Sequence, residues 1–297
     1  MTPGPPAREV TLERACSRLS AVTGESLRGT ASTVRHLLLI EQPGAWGREA
    51  LLESDLPQPL ARWVKAEAAA LSLRVVLIRK PGGGPKTGPR SAYLVQTGPS
   101  ESWHRRYLLD SPEELQDIDL RVAMHDSAGA TDRPLYLVCT NGKHDLCCAT
   151  AGVPLARQLS GLGDVWECSH IGGDRFAANL VCLPEGLYYG RVTPDIGVRI
   201  LERHARGELL LTHLRGRSCY DFGAQAADIF VRQARALHRI DDLALESSTG
   251  DGRHVFRTRN GEVMRVAVTV SASAPRRLTC NGDSTAPPEY RVRWDRA

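Results

Sequence analysis

No stretch of this 297-residue chain approaches the roughly 18 uninterrupted apolar residues of a membrane-spanning helix, so no membrane role is expected. Charge of one sign is also missing. Lys and Arg number 38 against 34 Asp and Glu, a net +4 with no basic run, so nucleic acid is not an expected partner. Aromatic residues make up only 5%, and no pair of carboxylates stands out as a glycosidase acid and base; sugar hydrolysis is therefore not expected. The chain has no Rossmann fingerprint, no G-x-S-x-G elbow beside Ser169-His170 and no C-x-x-C redox pair. Gly84-Pro-Lys-Thr87 fails as a phosphate loop, because Pro85 replaces the glycine before Lys86 and Pro89 blocks a following helix. Met1 to Arg14 carries charges and prolines where a signal peptide has an apolar core. The expected location is cytoplasmic, where thiols stay reduced.

What remains is an ordinary globular composition, 42% hydrophobic and 24% charged. The length exceeds one average domain. The patterning predicts an α/β protein in four parts. Residues 1–30 form a lead-in with a short helix around Thr11 to Ser20. Residues 31–130 form an α/β unit with strands at 36–41, 73–79, 91–96 and 103–109 and a helix over 60–71. Residues 131–215 repeat that order, with a strand at 134–139, a helix placed at 154–162 on the strength of Pro154 near its start, a hairpin across 184–186 and a helix capped by Thr193. Residues 216–297 carry a helix from Asp221, then a hairpin on the Asn260-Gly261 turn and a strand at 290–294.

Against this background the eight cysteines are unevenly placed. Cys139, Cys147, Cys148 and Cys168 fall within 30 residues, while 16, 182, 219 and 280 are scattered. Local clustering points to a metal or redox site rather than a disulfide framework. A cysteine ending an apolar strand is ordinarily a small buried hydrophobe. Cys148, separated from Cys139 by eight residues, shifts that reading toward chemistry, and His170 and Asp174 follow in a second, glycine-bearing loop. Two thiolates, an imidazole and a carboxylate make a plausible metal or iron–sulfur shell. Cys147 and the scattered cysteines are expected to be buried packing residues. His144 and Asp145 are expected to shape the loop, with His144 a reserve ligand.

The segments Cys139-x8-Cys148 and His170-Ile-Gly-Gly-Asp-Arg-Phe-Ala-Ala-Asn179 resemble the sucrase/ferredoxin-like family, and through it the thioredoxin-like [2Fe–2S] ferredoxins. Trp46-Gly-Arg48, Tyr188-Tyr-Gly-Arg191 and Arg277-Leu-Thr-Cys280 extend the likeness over roughly residues 30–297. The resemblance implies a thioredoxin-like ferredoxin fold and a [2Fe–2S] cluster, and the similar order of elements in the two halves suggests two thioredoxin-like units with a C-terminal helix and β-hairpin. The resemblance places ligands on Cys139, Cys148, His170 and Asp174. Eukaryotic relatives have a second His where Asp174 stands, which leaves three alternatives: Asp174 as the fourth ligand, Cys168 as the fourth ligand, or a site that has lost its cluster. A carboxylate or third thiolate makes an oxidised cluster net 1− rather than neutral, so its potential should lie below that of a two-His cluster and above that of a four-Cys one. The expected protein is an electron carrier with an external donor or acceptor protein, steered by Lys143 and Arg175. A structural zinc scaffold and a cluster-free thiol redox protein are the alternatives.

Overall fold

The computed structural model describes residues 15–295. The start of the expected N-terminal helix, like the stretch read for a signal peptide, lies outside the described residues; α1 runs Cys16–Val22. The first half comprises β1 (His36–Glu41), α2 (Gln58–Ala70), β2 (Arg74–Arg79), β3 (Arg90–Gln96), β4 (Trp103–Leu109) and a short α3 (Leu120–Ala123). The second half repeats the order with β5 (Leu135–Cys139), α4 (Leu146–Leu159), β6 (Val165–Cys168), β7 (Leu180–Leu183) and β8 (Leu187–Tyr189). It continues into α5 (Pro194–Ala205) and β9 (Leu214–Arg217).

All nine strands join one mixed sheet, in the order β4-β3-β1-β2-β6-β5-β7-β8-β9. In each half the first two strands run parallel, and the third pairs antiparallel on the other side of the first. The fourth pairs antiparallel outside the third. The halves meet where β2 and β6 run antiparallel over two pairs, Ile78 with Cys168 and Arg79 with Glu167. The sheet therefore crosses the expected boundary at residue 130 without a break. This α/β architecture follows from near-continuous apolar strands such as β1 and β5, buried on both faces. Along β1, Leu38 and Ile40 pack with Leu60 and Val64 of α2. Leu37 and Leu39 point the other way, into a core shared with Leu137, Trp166 and Tyr188 of the second half.

One helix starts eight residues earlier than its proline suggests. Pro154 sits inside α4, not at its beginning. An interior proline costs about 3 kcal/mol. The Asp145 side chain caps the helix by accepting from the Cys147 N–H at 2.9 Å, worth about 1 kcal/mol. Leu155 and Leu159 are fully buried, each contributing roughly 1.5–3 kcal/mol. Together these outweigh the proline, and the earlier start places Cys147 and Cys148 in the first turn.

Beyond the large sheet, α6 (Phe222–Arg235) packs on a second sheet of β10 (Leu243–Ser248), β11 (Arg253–Thr258), β12 (Val263–Ala272) and β15 (Pro288–Trp294). The expected hairpin and closing strand are thus three strands of a four-stranded sheet. The two-residue strands β13 (Arg276–Arg277) and β14 (Ser284–Thr285) bracket the loop carrying Cys280. No helix among the described residues is long and apolar enough to cross a membrane.

Candidate metal centre

The C-terminal ends of parallel strands, together with the helix N-terminus between them, are where α/β folds place ligands. Here β5 ends on Cys139, β6 ends on Cys168 beside it, and α4 carries Cys148 in its first turn. The close fit depends on Gly152: a Cβ there would collide with the Cys139 carbonyl. The second loop runs from Ser169 into a 3-10 turn, Asp174–Phe176.

Possible donor atoms of Cys139, Cys148 and His170 all lie within 4.8 Å of one another. Asp174 joins them from the side: its Oδ1 accepts from the Cys148 thiol at 3.2 Å and lies 2.9 Å from His170 Nδ1. His144 stacks on His170 with ring centroids 3.6 Å apart, and its Nε2 lies 3.5 Å from Asp174 Oδ2. Cys168 neighbours Cys139 across the β5–β6 ladder but stays outside this donor group. Four of the five residues singled out from the sequence thus converge, and His144 accompanies them.

The electrostatics are compatible with a bound cation. The neighbouring Cys148 and Cys168 thiols hold Cys139 well below the usual thiol range, favouring a thiolate. Cys148 is pushed up, by the same sulfur first and by burial second. Burial penalises the Asp174 charge, yet His144 and His170 outweigh it and keep the carboxyl well below the usual carboxylate range. Burial likewise opposes the imidazolium of His170, but Asp174 and the Cys139 sulfur raise it to about 9. Protons stand where a metal would, and a metal would displace them.

The loop that carries His170 and Asp174 is braced by a buried arginine. Arg215 donates to the Gly172 carbonyl at 2.9 Å, to Asn179 Oδ1 at 2.8 Å and to the Thr30 carbonyl. Asn179 in turn donates to the Gly173 carbonyl at 2.9 Å. Gly172 and Gly173 both have positive φ, +90° and +85°, and a Cβ on Gly173 would strike the Arg215 guanidinium. Burial lowers the pKa of Arg215 to about 10, still protonated at neutral pH. The pre-site loop of the first half closes over the other side. Asn141 donates to the Gly47 carbonyl at 3.1 Å, and Arg48, Glu49 and Leu77 line a crevice of about 210 Å³ that reaches His144 and His170. His170 is 27% exposed along this crevice and Asp174 only 2%. Lys143 is exposed nearby. Arg175 instead pairs with Glu25 at 2.7 Å and stacks on Phe176, so its charge is largely spent.

Two features escaped the sequence reading. Arg215 belongs to no motif, and its strand, Leu214-Arg-Gly-Arg217, carries two arginines and nothing in its sequence that marks it as buried. Cys16, Cys147 and Cys280, expected to be packing residues, are buried but converge on one another and on Asp145. Their separations along the chain carry no spacing that could be recognised.

A model of the sucrase/ferredoxin-like family matches residues 27–216, well over half of the chain, and the chain belongs to that family. The matched stretch contains Cys139, Cys148, Cys168, His170 and Asp174; Cys16 and Cys280 fall outside it. No curated protein and no solved structure matches the chain.

Proposed function

We propose that this sucrase/ferredoxin-like chain binds a [2Fe–2S] cluster with mixed ligands and serves as an electron carrier in a reducing, cytoplasmic setting. The observation that carries the reading is the convergence of Cys139, Cys148 and His170 with the Asp174 carboxylate against them. The donor set suits iron: soft thiolates on one side, imidazole and carboxylate on the other. One further feature fits a bound cation. His170 Nδ1 is buried and has no aligned hydrogen-bond partner, although Asp174 Oδ1 is only 2.9 Å away.

Cys139 and Cys148 would supply thiolates and His170 the nitrogen. Asp174 is the better fourth ligand, because it touches Cys148 and His170 while Cys168 adjoins Cys139 alone. The cluster would supply a reversible one-electron couple. The chain's own residues set the conditions for it: Arg215 and Asn179 fix the loop, the shared apolar core excludes water from the cysteine side, and the crevice leaves the His170 edge open to a partner. Lacking a nicotinamide fingerprint, the chain depends on an external donor or acceptor protein, which exposed Lys143 helps to attract. The repeated strand order, second-first-third-fourth with the first two parallel, supports reading each half as a thioredoxin-like unit.

A second reading, a single structural zinc, is favoured by the compactness of the trio. Donors within 4.8 Å suit one ion, for which tetrahedral sulfur–sulfur edges are about 3.8 Å. Absorption and EPR spectra with iron, sulfide and zinc content on anaerobically purified protein separate the two. Two irons and two sulfides with a shifted reduced-state signal are expected; zinc with two sulfur donors at a colourless site would replace the cluster reading.

A further inference from the structure

We propose that Cys16, Cys147, Cys280 and Asp145 form a second metal site, separate from the Cys139–His170 centre, for a single zinc-class divalent ion. The three sulfurs form a triangle with sides of 3.6 Å (Cys16–Cys147), 3.3 Å (Cys147–Cys280) and 3.7 Å (Cys16–Cys280). Asp145 closes the fourth corner, its two oxygens 3.9 and 3.8 Å from the Cys16 sulfur. Three thiolates bound at about 2.3 Å to one tetrahedral ion have sulfur–sulfur edges of about 3.8 Å. The triangle is therefore already close to the size such an ion requires. None of the four residues is more than 3% exposed, as in a closed structural site rather than a catalytic one with an open position.

Other readings of the group account for it less well. Disulfide sulfurs lie about 2.05 Å apart, and three thiols leave one unpaired in any pairing; all eight cysteines are free. Packing of small apolar side chains does not account for three thiols converging on the carboxylate that caps α4, whose oxygens also face the Cys16 sulfur. Asp145 is held toward the thiols by two backbone donors, the Cys147 N–H at 2.9 Å and the Cys280 N–H at 2.6 Å. Three thiolates and a carboxylate around a divalent ion leave two negative charges, the same as a four-cysteine zinc site. Here the α4 N-terminus, whose peptide dipoles point positive toward the group, offsets part of that charge. On binding, the ion takes the sulfur lone pairs and the thiol protons leave to solvent.

The ligands come from three distant segments: the start of α1, the first turn of α4 and the loop between β13 and β14. Cys16 and Cys280 are 264 residues apart. An ion here would cross-link the amino-terminal helix and a carboxy-terminal loop to the central sheet, and its role is structural.

The test is zinc content and zinc X-ray absorption on protein purified anaerobically from zinc-supplemented medium. The expected result is about one zinc per chain with a shell of three sulfurs and one oxygen. Cys280→Ser should lower zinc by one equivalent, whichever metal the Cys139–His170 centre holds, while far-UV circular dichroism stays unchanged. Cys148→Ser should leave the three-sulfur zinc in place. No zinc in wild type, a two-sulfur shell, or zinc unchanged by Cys280→Ser would each overturn the proposal. The wild-type shell decides the matter even if the variant fails to fold. Iron and visible absorbance report the other centre, so the two readings fail independently.

Discussion

The adjacent residues Cys147 and Cys148 belong to two differently built groups. Cys148 faces Cys139, His170 and Asp174, a set assembled from neighbouring loops and opened to a crevice through a partly exposed imidazole. Cys147 faces Cys16, Cys280 and Asp145, a set with no imidazole, no opening and ligands from both ends of the chain. Successive residues on a helix point about 100° apart, so one turn of α4 serves both. The difference separates two uses of the same chemistry. Access at the edge and a mixed donor set suit exchange with a partner, whereas closure and sulfur-rich donors suit holding segments together.

The largest effect that could break this comparison comes from the open group's thiols. Cys139→Ser or Cys148→Ser should abolish visible absorbance, and Cys147→Ser should preserve it. Colour retained in both of the first two variants would refute the ligand assignment. Removing the brace comes next. Arg215→Ala leaves the Gly172 and Thr30 carbonyls and Asn179 without their donor, and should destabilise the chain by about 3 kcal/mol in denaturant melts. It should lower iron content while leaving the Cys280 group's zinc.

A finer probe is Asp174→His. Exchanging a carboxylate for a neutral ligand should raise the reduction potential, on the order of 100 mV. An unmoved potential would turn attention to Cys168→Ser. Chelator treatment should strip the crevice-facing centre roughly tenfold faster than the closed one, followed as iron and zinc release; equal rates would erase the distinction drawn from burial. The smallest effect serves as an acid control away from both groups. Burial opposes the Glu185 charge, but His204 and then Arg217 hold its carboxyl below the usual 4.5. A depressed carboxylate stabilises the fold above its unfolded pKa and loses that contribution as pH falls through the folded value. Glu185→Gln should therefore flatten the acid limb of the stability curve, by at most about 1 kcal/mol. An unchanged limb would show that the pair contributes nothing.

Much of the open group was legible because its signals are local. The Cys139–Cys148 spacing, the His170–Asp174 loop and the strand ending at Cys139 all lie within a short stretch, and the compact apolar run of β1 and the strand read at 103–109 match β1 and β4 to the residue. Thr193 was readable as a cap, and it accepts from the Ile196 N–H. Pro154 misled, since a proline favours a helix start only when nothing upstream offers a stronger one, and Asp145 does. The antiparallel seam between β2 and β6 was not legible, because two strands buried on both faces carry no mark of which neighbour they choose. Nor was the Cys16–Cys147–Cys280 triangle, whose members look like isolated buried cysteines until the chain is folded.

The long separation of Cys16 and Cys280 also orders events during synthesis. The open group is complete once residue 174 has emerged, but the closed one waits for residue 280. At ribosomal rates of about 5–20 residues per second, those further 106 residues take roughly 5–20 s. For that interval Cys16 and Cys147 are a nascent pair without their third thiol, and the amino-terminal helix has no clasp. The donors of the two groups are thus brought together at different times by the order of translation, those of the closed group second.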